Sequence, residues 1–281
     1  MILDSLISIA HADSTALRGF FEIIGQTFWL LLVLVAPLIG FTILIHFLER
    51  LIQLRLASRF GWKSVLWTGW LGTPIHELSH AILCKVFRHR IDEIALFEPD
   101  LKSGRLGFVR HSWNTGNWFE EVGNFFIGMA PLVGGSLALA GLLWFFYPEA
   151  TQDMIANSGK ADTMFANISA LFKQLIAPAQ IISWKFWLFT YLVLCVSSHM
   201  APSLSDYEGA SRGVRMVVLA MVACLLLVSL MGFETDRIVA WFLKMMRPVF
   251  ALQLIAIVIC AFATLIVHLL TALFPVRYSV S

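Results

Sequence analysis

Long apolar stretches constrain this chain more than any other feature of its sequence. A helix that crosses a lipid bilayer needs about 20 mostly apolar residues, and the sequence contains six stretches of about that length. They cover roughly residues 27–48, 65–86, 123–147, 181–201, 214–232 and 248–273. We therefore expect an all-α polytopic membrane protein with about six transmembrane helices.

The composition favours the same class of protein. Hydrophobic residues make up 59% of the 281 residues and charged residues only 14%, whereas soluble domains have about 25% charged residues. The formal net charge of +2 is too small to indicate a nucleic-acid partner. Because no internal repeat or low-complexity segment is found, we expect residues 1–281 to form one domain. This domain would be embedded in the lipid bilayer as an integral multi-pass protein of the cell (inner) membrane.

Two polar connections separate the apolar stretches. Residues 88–117 contain two short β-like runs, IDEIALF and GRLGFVRH, on either side of the turn-forming segment PDLKSG, which predicts an extramembrane β-hairpin. Residues 148–180 suit an interfacial loop or a short amphipathic helix. Basic residues flank both ends of the second apolar stretch, and the larger cluster follows it, which favours the cytoplasmic side for the hairpin.

Ionisable side chains lie inside the second apolar stretch, in the segment GTPIHELSHAILCKVF. His76 and His80 are four residues apart, so they share one face of a helix and can bind one metal ion together. Glu77 projects near the same place, and the HExxH pattern is typical of two zinc ligands with a general base. An ionisable residue inside a bilayer costs about 2.5–3.5 kcal/mol, and a bound divalent ion would offset that cost. Pairing of these side chains with each other or with main-chain carbonyl groups in a packed bundle is the less favoured interpretation.

A catalytic zinc site needs a third protein ligand, and the segment HMAPSLSDYEGA after the fourth stretch offers one. Asp206 lies there among proline, serine and glycine residues, which break helices and can turn a carboxylate toward the site. A solvated loop residue or a helix N-cap is the alternative interpretation of Asp206. His199, earlier in the same segment, is interpreted as a ligand, as a donor to the oxyanion of a reaction or as a core histidine.

HELSH in one apolar stretch, with an aspartate-bearing break after a later one, resembles the site-2 type of zinc intramembrane metalloprotease. The resemblance extends from the first apolar stretch to residue 210. It implies that His76, His80 and Asp206 bind Zn²⁺ and that Glu77 is the catalytic base. The family also has β-structure after its HExxH helix, thought to engage the substrate as an added strand.

Residues 91–110 look similar to that β-structure, which implies that Ile94, Leu96 and Phe108 contact the substrate. The chain departs from the family in two motifs. PSLSDYEG stands where an Asn-Pro-Asp-Gly-like motif is typical, and GMAPLVGG has glycine where a GPxxN-like element has asparagine. Asn124 or His199 is the candidate for this missing polar group, so the chain resembles a divergent branch.

These features predict a zinc-dependent intramembrane endopeptidase that acts on transmembrane or membrane-anchored protein substrates, with Glu77 and His199 as catalytic residues. Two alternatives stay open. A prenyl-protein-type membrane metalloprotease would take its third ligand from a later glutamate, for which Glu208 is available. A non-catalytic metal-binding membrane protein or transporter would hold the metal structurally or as cargo and would not require Glu77.

Overall fold

Helices make up most of the chain in the computed structural model, which describes residues 2–100, 103–149, 151–152, 166, 169–171, 173–175, 177–231 and 234–277. The helices are α1 (Ile2–Phe60), α2 (Leu66–Val86), α3 (Trp118–Gly128), α4 (Ala130–Phe146), the single turn α5 (Pro178–Ile181), α6 (Trp184–Ser197), α7 (Leu204–Leu230) and α8 (Thr235–Ala272). A 3-10 turn, Trp62–Val65, joins α1 to α2, and the strands β1 (Arg90–Ala95) and β2 (Phe108–Ser112) follow α2. The expected helical class and the small hairpin are confirmed.

When the helices are judged by length and composition, fewer than the six expected membrane-spanning helices are found among the described residues. Among the described residues, α7 and α8 are long and apolar enough to cross a membrane, and α3 with α4 adds a third if the two form one bent span. Helix α2 coincides with the second expected span, but its glycine, threonine, histidine and glutamate residues lower its hydropathy. The fourth expected span contains α6, which has only 14 residues.

The third expected span, residues 123–147, is broken at Met129, where α3 and α4 meet at an angle of 52°. Pro131 lies in the first turn of α4. Proline has no N–H and its ring restricts the preceding turn, so it is favoured in the first turn of a helix, although α1, α2 and α8 also contain one internal proline each. Because of this bend, α3 and α4 run in different directions.

The fourth span also ends earlier than expected, because α6 stops at Ser197 and α7 begins at Leu204. Residues 198–203 form an irregular connection that contains Pro202, so the expected helix break ends before Asp206, which lies in the first turn of α7. The main-chain N–H and the hydroxyl of Ser203 both donate to Oδ2 of Asp206 at 2.7 Å. This arrangement resembles a capping box and explains why α7 begins before residue 214, the expected start of the fifth span.

The strands β1 and β2 form an antiparallel hairpin in which Ile94 pairs with Val109 and Ala95 pairs with Phe108. In the connecting segment, Asp100 forms an isolated bridge with Arg105. Gly104 has a φ of 74°, which glycine adopts at little cost. These contacts agree with the predicted turn, of which residues 101–102 lie outside the described residues. The second polar connection, residues 148–180, lies mostly outside the described residues.

The main hydrophobic core lies where α1, α4, α6 and α8 pack together. Its fully buried side chains include Ile45, Ile52, Leu132, Leu139, Phe189, Val193, Ala256 and Cys260. Helix α2 packs against α4 and α6, and α3 packs against α7. The HExxH helix is thereby held between the core and the α3–α7 pair, with the hairpin emerging from its end.

Candidate metal centre

Three side chains from α2 and α7 converge on one point. Nε2 of His76 lies 3.4 Å from Oδ2 of Asp206, and Nε2 of His80 lies 3.2 Å from Oδ1 of Asp206. The two Nε2 atoms are 3.2 Å apart, and one ligand atom from each of the three residues lies within 4.8 Å of the other two. Two imidazoles and a carboxylate are a donor set that a catalytic zinc site uses, with one position left for water or substrate.

Main-chain carbonyl groups fix the orientation of both imidazoles. Nδ1 of His76 donates to the oxygen of His199 at 2.8 Å, and Nδ1 of His80 donates to the oxygen of Ile127 at 2.8 Å. Because a carbonyl oxygen only accepts, each neutral ring has its proton on Nδ1 and its lone pair on Nε2. In that tautomer, the lone pairs of both rings and the carboxylate of Asp206 face one another. Because all three groups are acceptors, this arrangement is favourable when a cation lies between them. The donor set fits a zinc ion.

Close packing of α3 against α7 brings Asp206 and the oxygen of Ile127 to the same place. A Cβ atom on Gly128 would lie 2.4 Å from the main-chain oxygen of Asp206 and 2.8 Å from Cβ of Ala210. No larger residue fits there without a shift of one of the helices. The glycine therefore sets the distance between the helix that supplies Asp206 and the helix that orients His80.

His199 contributes to the centre mainly through its main chain. A Cβ atom on Gly72 would lie 2.1 Å from the oxygen of Cys195 and 2.9 Å from Cβ of His199, so this glycine lets the end of α6 approach α2. The His199 ring lines the cavity beside the ligands, and its Nε2 atom is buried without a hydrogen-bond partner among the described residues. The ring is not among the grouped ligands, and its catalytic role stays a prediction.

A cavity of about 430 Å³ opens on the ligand group. Glu77 lines this cavity next to His76, and it is 8% exposed. The hairpin forms another part of the wall, where a Cβ atom on Gly107 would lie 2.9 Å from Cγ of Glu77 and 2.9 Å from Cγ2 of Thr73. Glu77 is thus in the same cavity as the ligands, as a general base for an attacking water must be.

The three residues predicted to contact substrate do not all lie at the cavity. Phe108 lines the cavity, and the guanidinium groups of Arg105 and Arg110 lie 4.4 and 4.9 Å from the centre of its ring. Ile94 and Leu96 are 45% and 39% exposed and are not part of the cavity wall. Phe108 alone of the three is therefore brought to the candidate site.

Two polar residues of α1 that the sequence patterns did not indicate hold the connection between α6 and α7. Oε2 of Glu49 accepts from the main-chain N–H of Ala201 at 3.0 Å. Nε2 of Gln53 lies 2.9 Å from the oxygen of Ser198 and 2.9 Å from Oε1 of Glu49 and donates to both. The sequence contains one signal for this contact, because Glu49 is a carboxylate at the end of the first apolar stretch. A buried carboxylate in such a position has a partner or a function.

A second histidine pair joins the hairpin to α3. Nε2 of His89 donates to the oxygen of Glu120 at 2.8 Å, so Nδ1 of His89 accepts from Nδ1 of His111 at 2.9 Å. The ring of Trp113 stacks on His89. Burial, and next the neighbouring His89, lowers the pKa of His111 to about 4. His111 is therefore neutral at pH 7 and fixes the base of the hairpin beside the cavity.

The remaining alternative for the third ligand is Glu208. Its side chain is exposed and it does not belong to the ligand group, so the geometry favours Asp206. No family model, curated protein or solved structure matches the chain.

Proposed function

We propose that this chain is a zinc-dependent intramembrane endopeptidase of the site-2 type, which hydrolyses peptide bonds of transmembrane or membrane-anchored proteins. The convergence of His76, His80 and Asp206 beside Glu77 in one cavity is the observation that supports this proposal. Two ligands are local on α2, but the third comes from a helix more than a hundred residues away.

The residues of the centre have distinct parts in the proposed reaction. His76, His80 and Asp206 would hold the ion, and a bound zinc ion supplies Lewis-acid activation of a water molecule and of the peptide carbonyl. Glu77 accepts a proton from the water as the water oxygen bonds to the carbonyl carbon. Glu77 then delivers that proton to the nitrogen as the C–N bond breaks, so that the products are a carboxylic acid and an amine.

The substrate of such an enzyme must be extended at the cleaved bond, because the carbonyl groups of a helix are hydrogen-bonded and shielded. A two-stranded hairpin has open edges that can pair with an extended segment through main-chain hydrogen bonds. The hairpin contacts Glu77 through Gly107 and reaches the cavity with Phe108. We propose that the hairpin holds the unwound segment of the substrate.

We also propose six membrane crossings, formed by α1, α2, the bent pair α3–α4, α6, α7 and α8. Large apolar side chains are exposed on each of them, which soluble proteins rarely show and which lipid would cover. Examples are Phe47, Ile82, Trp144, Trp187, Leu219 and Leu269. The cell (inner) membrane, with the hairpin on the cytoplasmic side, is the location that we propose.

Metal analysis and proteolysis on the same purified samples test this function. The wild-type chain and Glu77→Gln should hold about one zinc ion per chain, whereas His80→Ala and Asp206→Ala should lose most of it. Cleavage of detergent-solubilised transmembrane peptides should occur only with the wild type and the control variant Glu208→Ala. Full zinc content in His80→Ala would show that the assigned centre is wrong.

The same experiment separates the alternatives. Loss of zinc in Glu208→Ala, with zinc retained in Asp206→Ala, would support the prenyl-protein type of metalloprotease. One zinc ion per chain with no cleavage of any peptide or membrane protein would support a non-catalytic binding protein or transporter. The buried position of Glu77 in the cavity favours the catalytic function over the latter.

A further inference from the structure

Asn124 on α3 is an unpaired polar side chain in the wall of the cavity. The residue is 2% exposed, and neither its Oδ1 nor its Nδ2 atom has a hydrogen-bond partner among the described residues. Buried polar side chains are nearly always paired, since an unpaired buried group costs free energy. An asparagine that is left unpaired in a cavity wall points to a ligand that it binds.

The position of Asn124 places it beside the metal ligands. It precedes Ile127, whose carbonyl orients His80, and Gly128, which packs against the main chain of Asp206. All of these residues line the same cavity. Asn124 is therefore part of the wall next to the ligands without a role in holding them.

Two more residues that line this cavity have a buried polar atom without a partner in the described part of the chain, Oγ1 of Thr73 and Nε2 of His199. They come from α2 and from the connection between α6 and α7, whereas Asn124 comes from α3. Unpaired groups from three separate segments that share one cavity are not explained by a local packing defect. They indicate a binding surface for a ligand with several hydrogen-bonding groups.

The chemistry of the asparagine side chain defines that ligand. A primary amide has donors and an acceptor side by side, which complement the C=O and N–H of a peptide group. The hydroxyl of Thr73 can donate to a further carbonyl or accept from a further N–H. We propose that Asn124, together with Thr73, forms a subsite that binds the main chain of an extended peptide next to the metal ligands. This inference rests on the proposed peptidase function and adds how the unwound substrate is recognised.

Two inhibitors that share a metal-binding group distinguish main-chain recognition from metal binding. Acetohydroxamate has the metal-binding group alone, whereas leucyl-leucine hydroxamate adds an extended peptide main chain. Both would be titrated into the zinc-loaded full chain in detergent by calorimetry. Asn124→Leu should bind leucyl-leucine hydroxamate about tenfold more weakly than wild type, the loss expected for a hydrogen-bonded pair. Its affinity for acetohydroxamate should be unchanged, and Thr73→Val should show the same pattern with a smaller loss.

The thermal stability of the same variants separates binding from a structural role. Asn124→Leu removes two unpaired buried polar atoms, so its Tm should equal or exceed that of the wild type. Asn117, at the start of the same helix, accepts from the N–H of Phe119 at 3.1 Å and is the matched control. Asn117→Ala should lower the Tm, because it removes a helix cap, and should leave both affinities unchanged.

The outcomes that contradict the subsite differ from those that contradict the peptidase. Equal binding of leucyl-leucine hydroxamate by the wild type and Asn124→Leu would overturn the subsite alone, as would equal weakening of both inhibitors. Failure of both Asn124→Leu and Asn124→Ala to fold would make Asn124 structural and would also overturn it. A wild-type chain that holds no zinc or binds neither inhibitor would overturn the peptidase, and the subsite with it.

Discussion

Nδ1 of His76 donates a hydrogen bond to the main-chain oxygen of His199, 2.8 Å away and 123 residues further along the chain. This bond joins the first candidate zinc ligand to the connection that leads into Asp206. The same connection is bound from its other side by Glu49 and Gln53 of α1. The geometry of the candidate centre therefore depends on residues that are not among the candidate ligands.

A substitution of Ser203, at the start of α7, tests whether the candidate centre depends on such surrounding residues. Its N–H and hydroxyl hold Oδ2 of Asp206, so Ser203→Ala leaves the carboxylate less well oriented. We expect zinc affinity to fall by about 10- to 100-fold, and the free energy of unfolding to fall by about 1 kcal/mol through loss of the cap. Competition with a chelator measures the affinity. Ser211→Ala, on the exposed side of α7, is the control, and equal affinities in the two variants would contradict the prediction.

A substitution of Glu49 tests whether the candidate centre depends on α1. Glu49→Ala leaves the N–H of Ala201 without its acceptor, at a cost of about 1–3 kcal/mol in the free energy of unfolding. Because Ala201 belongs to the connection that holds His76, zinc affinity should fall by about tenfold. Denaturant unfolding and zinc competition measure the two effects. Glu22→Ala, an exposed change on the same helix, should change neither, and wild-type affinity in Glu49→Ala would disprove the link.

A substitution of Gly107 tests the contact between the hairpin and Glu77, the proposed general base. A Cβ atom there would lie 2.8 Å from the oxygen of Ala95 and 2.9 Å from Cγ of Glu77, so Gly107→Ala must displace the hairpin or Glu77. We expect peptide cleavage to fall by about tenfold or more, as misplaced catalytic groups do, with zinc content unchanged. Gly141→Ala, which meets no atom within 4 Å, is the control. Unchanged cleavage by Gly107→Ala would mean that the contact has no catalytic importance.

Proline and alanine substitutions test whether the hairpin holds substrate through its main chain. Proline removes the N–H that a paired strand uses, whereas alanine only shortens the side chain. At Ile94 or Phe108, proline should therefore reduce cleavage more than alanine, by about fivefold for a hydrogen bond of about 1 kcal/mol. Zinc content should stay normal in all four variants. Cleavage at the wild-type rate by every proline variant across residues 91–110 would leave the hairpin a structural cover.

His111 provides a test by pH. Its pKa is lowered to about 4 in the folded protein, below the value of about 6.5 expected in the unfolded chain. Between these values the unfolded state binds more protons, so this contribution to stability is complete above about pH 6.5 and is lost as the pH falls toward about 4. The Tm of His111→Gln should therefore depend less on pH in this window than that of the wild type. His46→Gln, on an exposed histidine, is the control, and parallel curves for His111→Gln and wild type would contradict the pKa.

Local spacing was sufficient to predict one half of the candidate centre. His76 and His80 share a face because four residues span about one turn of helix, whatever the rest of the chain does. The boundaries of α2 agree with an apolar stretch of spanning length, and the hairpin agrees with two β-like runs around a turn. Each of these features depends on residues that are close in the sequence, where backbone geometry and turn chemistry act directly.

The other half depends on packing between distant segments, which spacing does not encode. Asp206 reaches His80 because Gly128 lets α3 and α7 approach closely. His76 is oriented by the main-chain oxygen of His199, which comes close to α2 because Gly72 has no side chain. The break at Met129 lies beside Pro131, within an apolar stretch that hydropathy treats as continuous. The direction of a side chain toward a distant partner is determined by helix crossing and close contact, and these arise only when the whole chain is packed.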